Sequence, residues 1–180
     1  MAASTEIRVL PVQKVAWDFT FAFLMLRLWL GVRALFVGIE KYATYKSVAM
    51  PLIDPSTGQP DASGVMVNVS VKSYALANYA GIPVGLRDKF AHDPMFPKFA
   101  LTLFDRMLGP AFILTGLMLI IGLGTRVSLL VQGLLFIALT VGLVLIDSND
   151  GVAYLGIHIA LVAAAFLLVQ HNRFAVLKKW

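Results

Sequence analysis

Apolar residues fall into four long runs, Phe19 to Ile39, Leu103 to Leu123, Val127 to Ile146 and Val152 to Val169. Each is close to the roughly 20 residues a helix needs to cross a hydrocarbon core of about 30 Å. The pattern predicts an all-α membrane protein, a bundle of four transmembrane helices forming a single domain over residues 1–180. Between the first two runs lies a long segment, residues 42–102, too long for a plain connector. Pro51, Pro55, Gly58, Pro60 and Gly64 punctuate its first part as turns. Val65, Val67, Val69 and Val71 then alternate with Met66, Asn68, Ser70 and Lys72, the period of a half-buried strand. Beyond Asp93-Pro94, Pro97 suits a helix start, and Phe96, Phe99, Ala100, Leu103, Phe104 and Met107 follow at helical spacing. An amphipathic helix on the membrane surface is expected there, bent into the second span at Gly109-Pro110. The long loop is therefore expected to be structured and extracytoplasmic.

Composition agrees with lipid as the solvent. Hydrophobic residues make up 59% of the chain, charged residues 14%, and mean hydropathy is +0.81, values a soluble domain of this size does not reach. The chain has no cysteine, which excludes disulfides, cysteine-ligated zinc, iron–sulfur clusters and thiol catalysis within it. The net charge of +5 comes from scattered basic residues, several at span ends, and indicates topology and not nucleic acid. No removable signal peptide is read before Trp17, and the first span is expected to act as an anchor. The turn holding Asp147 and Asp150 lacks Lys and Arg, whereas Arg8, Lys14, Arg126, Arg173, Lys178 and Lys179 fall on the opposite side. Both termini are thus expected in the cytoplasm, and the membrane is expected to be the cytoplasmic membrane of a bacterium or archaeon. Against that orientation stand the basic residues of the long loop, which weigh less because the loop is long.

Polar residues inside the spans are the candidate chemistry. Arg27, Gly31, Ala34 and Gly38 share one stripe of the first helix, a small-residue face for close packing that carries one costly charge. Arg27 requires acceptors, whether carbonyls, a carboxylate or a bound ligand. Arg33 and Glu40 lie on another face and are expected in a charge network near the outer surface. His158 is the single histidine within a span and shares a face with Gly151, Tyr154 and Ala165, while Gly156, Ala160 and Ala164 form a small-residue row on the far side. If His158 faces the bundle, that row is free for a partner helix; if the row faces inward, another chain must cover His158. By helical rise, Arg33 and His158 stand at similar depth and can meet. An imidazole beside Tyr154 suits proton exchange with a quinone, and a structural histidine bonded to its neighbours suits the pattern as well. No second span holds a histidine for a haem. His92 with Asp88 and Asp93 is a weak metal arrangement, so no metal site and no covalent cofactor is expected. Trp29, Phe21, Phe23, Phe36, Phe112 and Phe136 are read as lipid-facing or core aromatics.

The run G-L-M-L-I-I-G-L-G-T-R, Gly116 to Arg126, resembles the glycine-spaced segment of the DoxX/DoxD family, and R-L-W-L-G with G-I-E-K, Arg27 to Lys41, is similar to that family's first helix. The long loop resembles the DoxD branch, the small-subunit type of thiosulfate:quinone oxidoreductase. The resemblance implies a four-helix subunit of a membrane electron-transfer complex beside other integral membrane subunits, with quinone or bound lipid as ligand; the polar residues of the spans themselves offer Arg27, Arg33, Glu40, Tyr154 and His158 as quinone or partner contacts. It also implies an acidic residue near the start of the second helix, where Pro110 and Ala111 are the residues at hand. The functional expectation is a structural or auxiliary subunit that shapes a quinone site; the alternative is a catalytic thiosulfate:quinone oxidoreductase subunit.

Overall fold

The computed structural model describes residues 12–61, 63–82, 87–90, 98–145 and 148–176 of the chain. Helix α1 (Val12–Glu40) leads into strands β1 (Ala43–Pro51) and β2 (Met66–Tyr74), and a single 3-10 turn follows at Leu76–Asn78. Helices α2 (Lys98–Ile121), α3 (Thr125–Leu145) and α4 (Asn149–Leu168) complete the order, with a last 3-10 turn at Val169–His171. All four α-helices are long and apolar enough to cross a membrane. Around the bundle α1 packs on α2, α2 on α3, α3 on α4, and α4 back on α1. Phe23, Leu30, Leu108, Phe112, Leu129 and Phe136 fill the middle, each no more than 5% exposed.

At most 33% of any candidate span is buried within the chain. Met25, Trp29, Phe36, Leu114 and Leu167 point outward, as helices surrounded by hydrocarbon do. The aromatics divide as the two readings allowed, Phe23, Phe112 and Phe136 in the core and Trp29, Phe21 and Phe36 on the outside.

Glycine decides how α1 and α2 meet. Gly31 and Gly38 on α1 face Gly116 and Gly109 on α2 so closely that a β-carbon at Gly116 would stand 2.6 Å from Leu35 N and 2.8 Å from Gly31 O. Backbone touches backbone, the close approach that small residues permit in membrane helices.

Two findings depart from the sequence expectations. Helix α2 runs unbroken from Lys98 to Ile121 with Pro110 inside it, so the amphipathic stretch and the second span are one helix. The strand expected around Val65 to Val71 is β2, paired antiparallel with β1 from Ala43↔Tyr74 to Pro51↔Met66. Far from being half-buried, most of this hairpin is exposed on both faces. Val48, Met50, Val67 and Val69 occupy one face, and Tyr45, Ser47, Asn68, Ser70 and Lys72 the other. The turn-rich segment is the hairpin tip, where Asp54 accepts from the Ser56 amide and hydroxyl, and Asp61 from those of Ser63, a local geometry such residues favour.

Candidate functional site

Thr20, Phe23, Arg27, Leu30, Gly31, Ala34 and Gly38 make up the buried stripe of α1. Arg27, 3% exposed, donates from one terminal nitrogen to Asn172 Oδ1 at 2.9 Å and to the Phe174 carbonyl at 3.0 Å. Asn172 in turn donates to Thr125 Oγ1 at 3.0 Å. Gly122 and Gly124 turn the chain from α2 to α3 with φ of 82° and 52°, a region that glycine enters without strain. A β-carbon at Gly122 would lie 2.6 Å from the Arg27 Nη1. Arg27 therefore finds its acceptors level with the α2–α3 turn and the segment after α4. Helix α1 is longer than its neighbours, so a residue central to its own span meets the ends of theirs.

Glu40 reaches β2. Lys72 Nζ lies 2.6 and 2.5 Å from its two carboxylate oxygens, and the Tyr74 hydroxyl donates to it at 3.2 Å. Bonding to Glu40 raises the Lys72 pKa above the ordinary lysine value, and the ammonium also lies 5.6 Å from the Tyr74 ring centre. Both partners are substantially exposed, so the pair orients the hairpin more than it stabilises the fold. Arg33 is exposed on α1 while His158 is buried, and among the described residues Arg33 forms no ion pair with Glu40, which pairs with Lys72 instead.

His158 is 6% exposed and faces the bundle. Its ring lies 5.3 Å from that of Phe136, which lies 5.7 Å from Phe112. Nδ1 is 2.9 Å from the Tyr154 carbonyl; a carbonyl can only accept, so Nδ1 carries a proton and donates it there. Tyr154 stacks loosely on His158 at 5.7 Å yet remains 61% exposed. On the far side Gly156 has nothing within 4 Å of where a β-carbon would stand, and Ala160 is exposed.

Sequence reasoning overlooked a cluster at the hairpin end of α2. Proline lacks an N–H, so Pro110 leaves the Arg106 carbonyl without its helical donor. The Tyr79 hydroxyl fills the gap: it accepts from the Gly109 N–H at 3.1 Å, donates to the Asp105 carbonyl at 2.5 Å and stands 3.1 Å from the Arg106 carbonyl. Asp105 holds the same connecting segment through its carboxylate, which accepts from Ile82 N–H at 2.6 Å and pairs with Arg87 at 3.0 Å. Burial raises the Tyr79 pKa. Burial likewise lowers that of Lys41, against the opposing charge of Asp105. Asp105 lies about two turns into α2, which begins at Lys98. The Gly-Pro step in an apolar helical run was the available signal for an inserted partner.

His92 and Asp93 lie outside the described residues. Among those described, no group of three His, Asp or Glu side chains is placed to hold a metal. No family model, curated protein or solved structure matches this chain.

Proposed function

We propose that this protein is an integral membrane subunit of an electron-transfer complex, structural or auxiliary in role, with both termini in the cytoplasm. One observation supports the subunit assignment most directly: His158 turns into the bundle while Gly156 and Ala160 are exposed on the far side, with the half-buried Ala164 continuing their row. Small side chains give a neighbouring helix a close approach, and lipid gains nothing from that row that larger residues would not offer. The electron-transfer assignment rests on the resemblance of Arg27–Lys41 and Gly116–Arg126 to the DoxX/DoxD family. In this reading Tyr154 and His158, next to the small row, are the quinone or partner contacts, and Arg27 is the tie that holds the bundle's end together.

Isolation in mild detergent from native membranes tests the proposal. Other integral membrane subunits are expected to co-purify, and Gly156→Ile is expected to release them without shifting the melting of the isolated chain. A monodisperse monomer with no partner overturns the assignment.

A further inference from the structure

Five buried side-chain atoms have no hydrogen-bond partner among the described residues: Arg27 Nε, Ser128 Oγ, both amide atoms of Gln132, and His171 Nδ1. They are not scattered. His171 precedes Asn172, which bonds both Arg27 and Thr125. Ser128 and Gln132 follow Thr125 along α3 at helical spacing, so the three stack on one face. Thr125 and Gln132 are 0% exposed and Ser128 1%. Phe136, one turn further, ends the series with its ring against His158.

The hairpin half of the bundle contrasts with this. There the helix gap at Pro110 is filled by Tyr79, and His158 Nδ1 is engaged by Tyr154. Around Gln132 the neighbouring helices bring apolar or already satisfied groups. The register set by Gly31 against Gly116 and by Gly133 against Val162 puts Ala34, Thr115 and Val162 at about its level. The Thr115 hydroxyl is already committed to the Ala111 carbonyl at 2.7 Å.

A primary amide wholly buried without a partner is strongly disfavoured, and hydrocarbon around the bundle offers no alternative. We propose that this column binds water: a short file of ordered molecules running from His171 past Arg27 and Ser128 to Gln132, entering at the end with the α2–α3 turn and stopping below the Phe136–His158 layer. The spacing fits. Successive groups on the face are about one turn, or about 5.4 Å, apart, a gap that one or two waters, each hydrogen bond about 2.8 Å long, can bridge. The chemistry fits as well, because serine and glutamine offer both donors and acceptors while Arg27 Nε offers a donor. Such a file gives the interior an aqueous approach from one end of the bundle only.

X-ray radiolytic hydroxyl-radical labelling of the full chain in lipid nanodiscs tests this, since radicals formed from bound water oxidise adjacent side chains. Leu129 and Leu108 are 0% and 1% exposed in the same core, and only Leu129 neighbours the column. Leu129 is expected to be oxidised at least tenfold faster than Leu108, and Ser128→Ala with Gln132→Leu to bring it down to the Leu108 rate. Equal rates in the unaltered chain overturn the proposal. Thermal melting gives a second readout: Gln132→Leu is expected to lower the midpoint by breaking a water-matched network, whereas a rise would mean that the amide was unmatched and the column dry. If Gln132→Leu does not fold, labelling of the unaltered chain still decides.

Discussion

Tyr79 and Pro110 are separated by the last part of the loop and by about three turns of helix, yet the hydroxyl of one sits at the break in hydrogen bonding created by the other. The connection after β2 is thereby fastened to α2 at the one place where the helix cannot bond itself.

Tyr79→Phe should strand the Gly109 N–H and the Asp105 and Arg106 carbonyls that the hydroxyl faces, at a cost of about 1–3 kcal/mol. Pro110→Ala restores a helical donor for Arg106 and should make the loss of the Tyr79 hydroxyl less damaging. Thermal midpoints of the two single variants and the double variant in detergent form the cycle that measures this coupling. Additive effects would mean that the hydroxyl and the proline act independently.

Arg27→Met removes the donor that holds Asn172 and the Phe174 carbonyl, and should free the chain after α4. Hydrogen bonds from a charged group suggest a loss of about 1.5–3 kcal/mol each. Limited proteolysis should then cut after Arg173 faster than in the unaltered protein, where the next carbonyl, that of Phe174, is held by Arg27. Arg27→Lys should protect only partly, because an ammonium cannot reproduce the planar fork.

The glycines of α1 and α2 predict a contrast with the outer face of α4. A β-carbon at Gly116 would press on backbone atoms 2.6 and 2.8 Å away, so Gly116→Ala should destabilise the isolated chain by about 1–3 kcal/mol. Gly156→Ala meets nothing within 4 Å and should leave the melting midpoint unchanged or slightly raised. Differential scanning fluorimetry of the two variants compares them directly.

A pH effect should appear at the base of the hairpin. The Lys72 pKa is raised in the folded protein by its bond to Glu40, so its contribution is complete below the ordinary lysine value and disappears as pH rises through the raised one. The chain has no cysteine, so a nitroxide on Ser70→Cys reports the hairpin cleanly. Its electron paramagnetic resonance spectrum should sharpen above that pH, and Glu40→Gln should show the sharper spectrum at neutral pH.

Features governed by local periodicity were legible from the residues. Arg27, Gly31, Ala34 and Gly38 share a buried stripe because helical spacing alone puts them there, and four apolar runs of the right length became four helices. Strand β1 was missed because Ala43–Pro51 shows no clean alternation and becomes a strand through pairing with β2. The Tyr79–Asp105 cluster was missed because it depends on where the chain returns after the hairpin, which no local pattern encodes. The inward turn of His158 could be posed only as one of two rotations, since both faces of α4 are apolar and its sequence favours neither.

The glycine contacts between α1 and α2 also bear on motion. Gly31 and Gly38 fit against Gly116 and Gly109 by backbone contact, and such an interface has no side-chain cushion to absorb sliding. The two helices should behave as one stiff plank. Between α3 and α4 the glycines meet flexible side chains instead, a β-carbon at Gly133 standing 3.4 Å from a Val162 methyl and one at Gly151 2.8 Å from a Leu143 methyl. Any shear within the bundle should then be taken up on that side, by the helices that carry Ser128, Gln132 and His158.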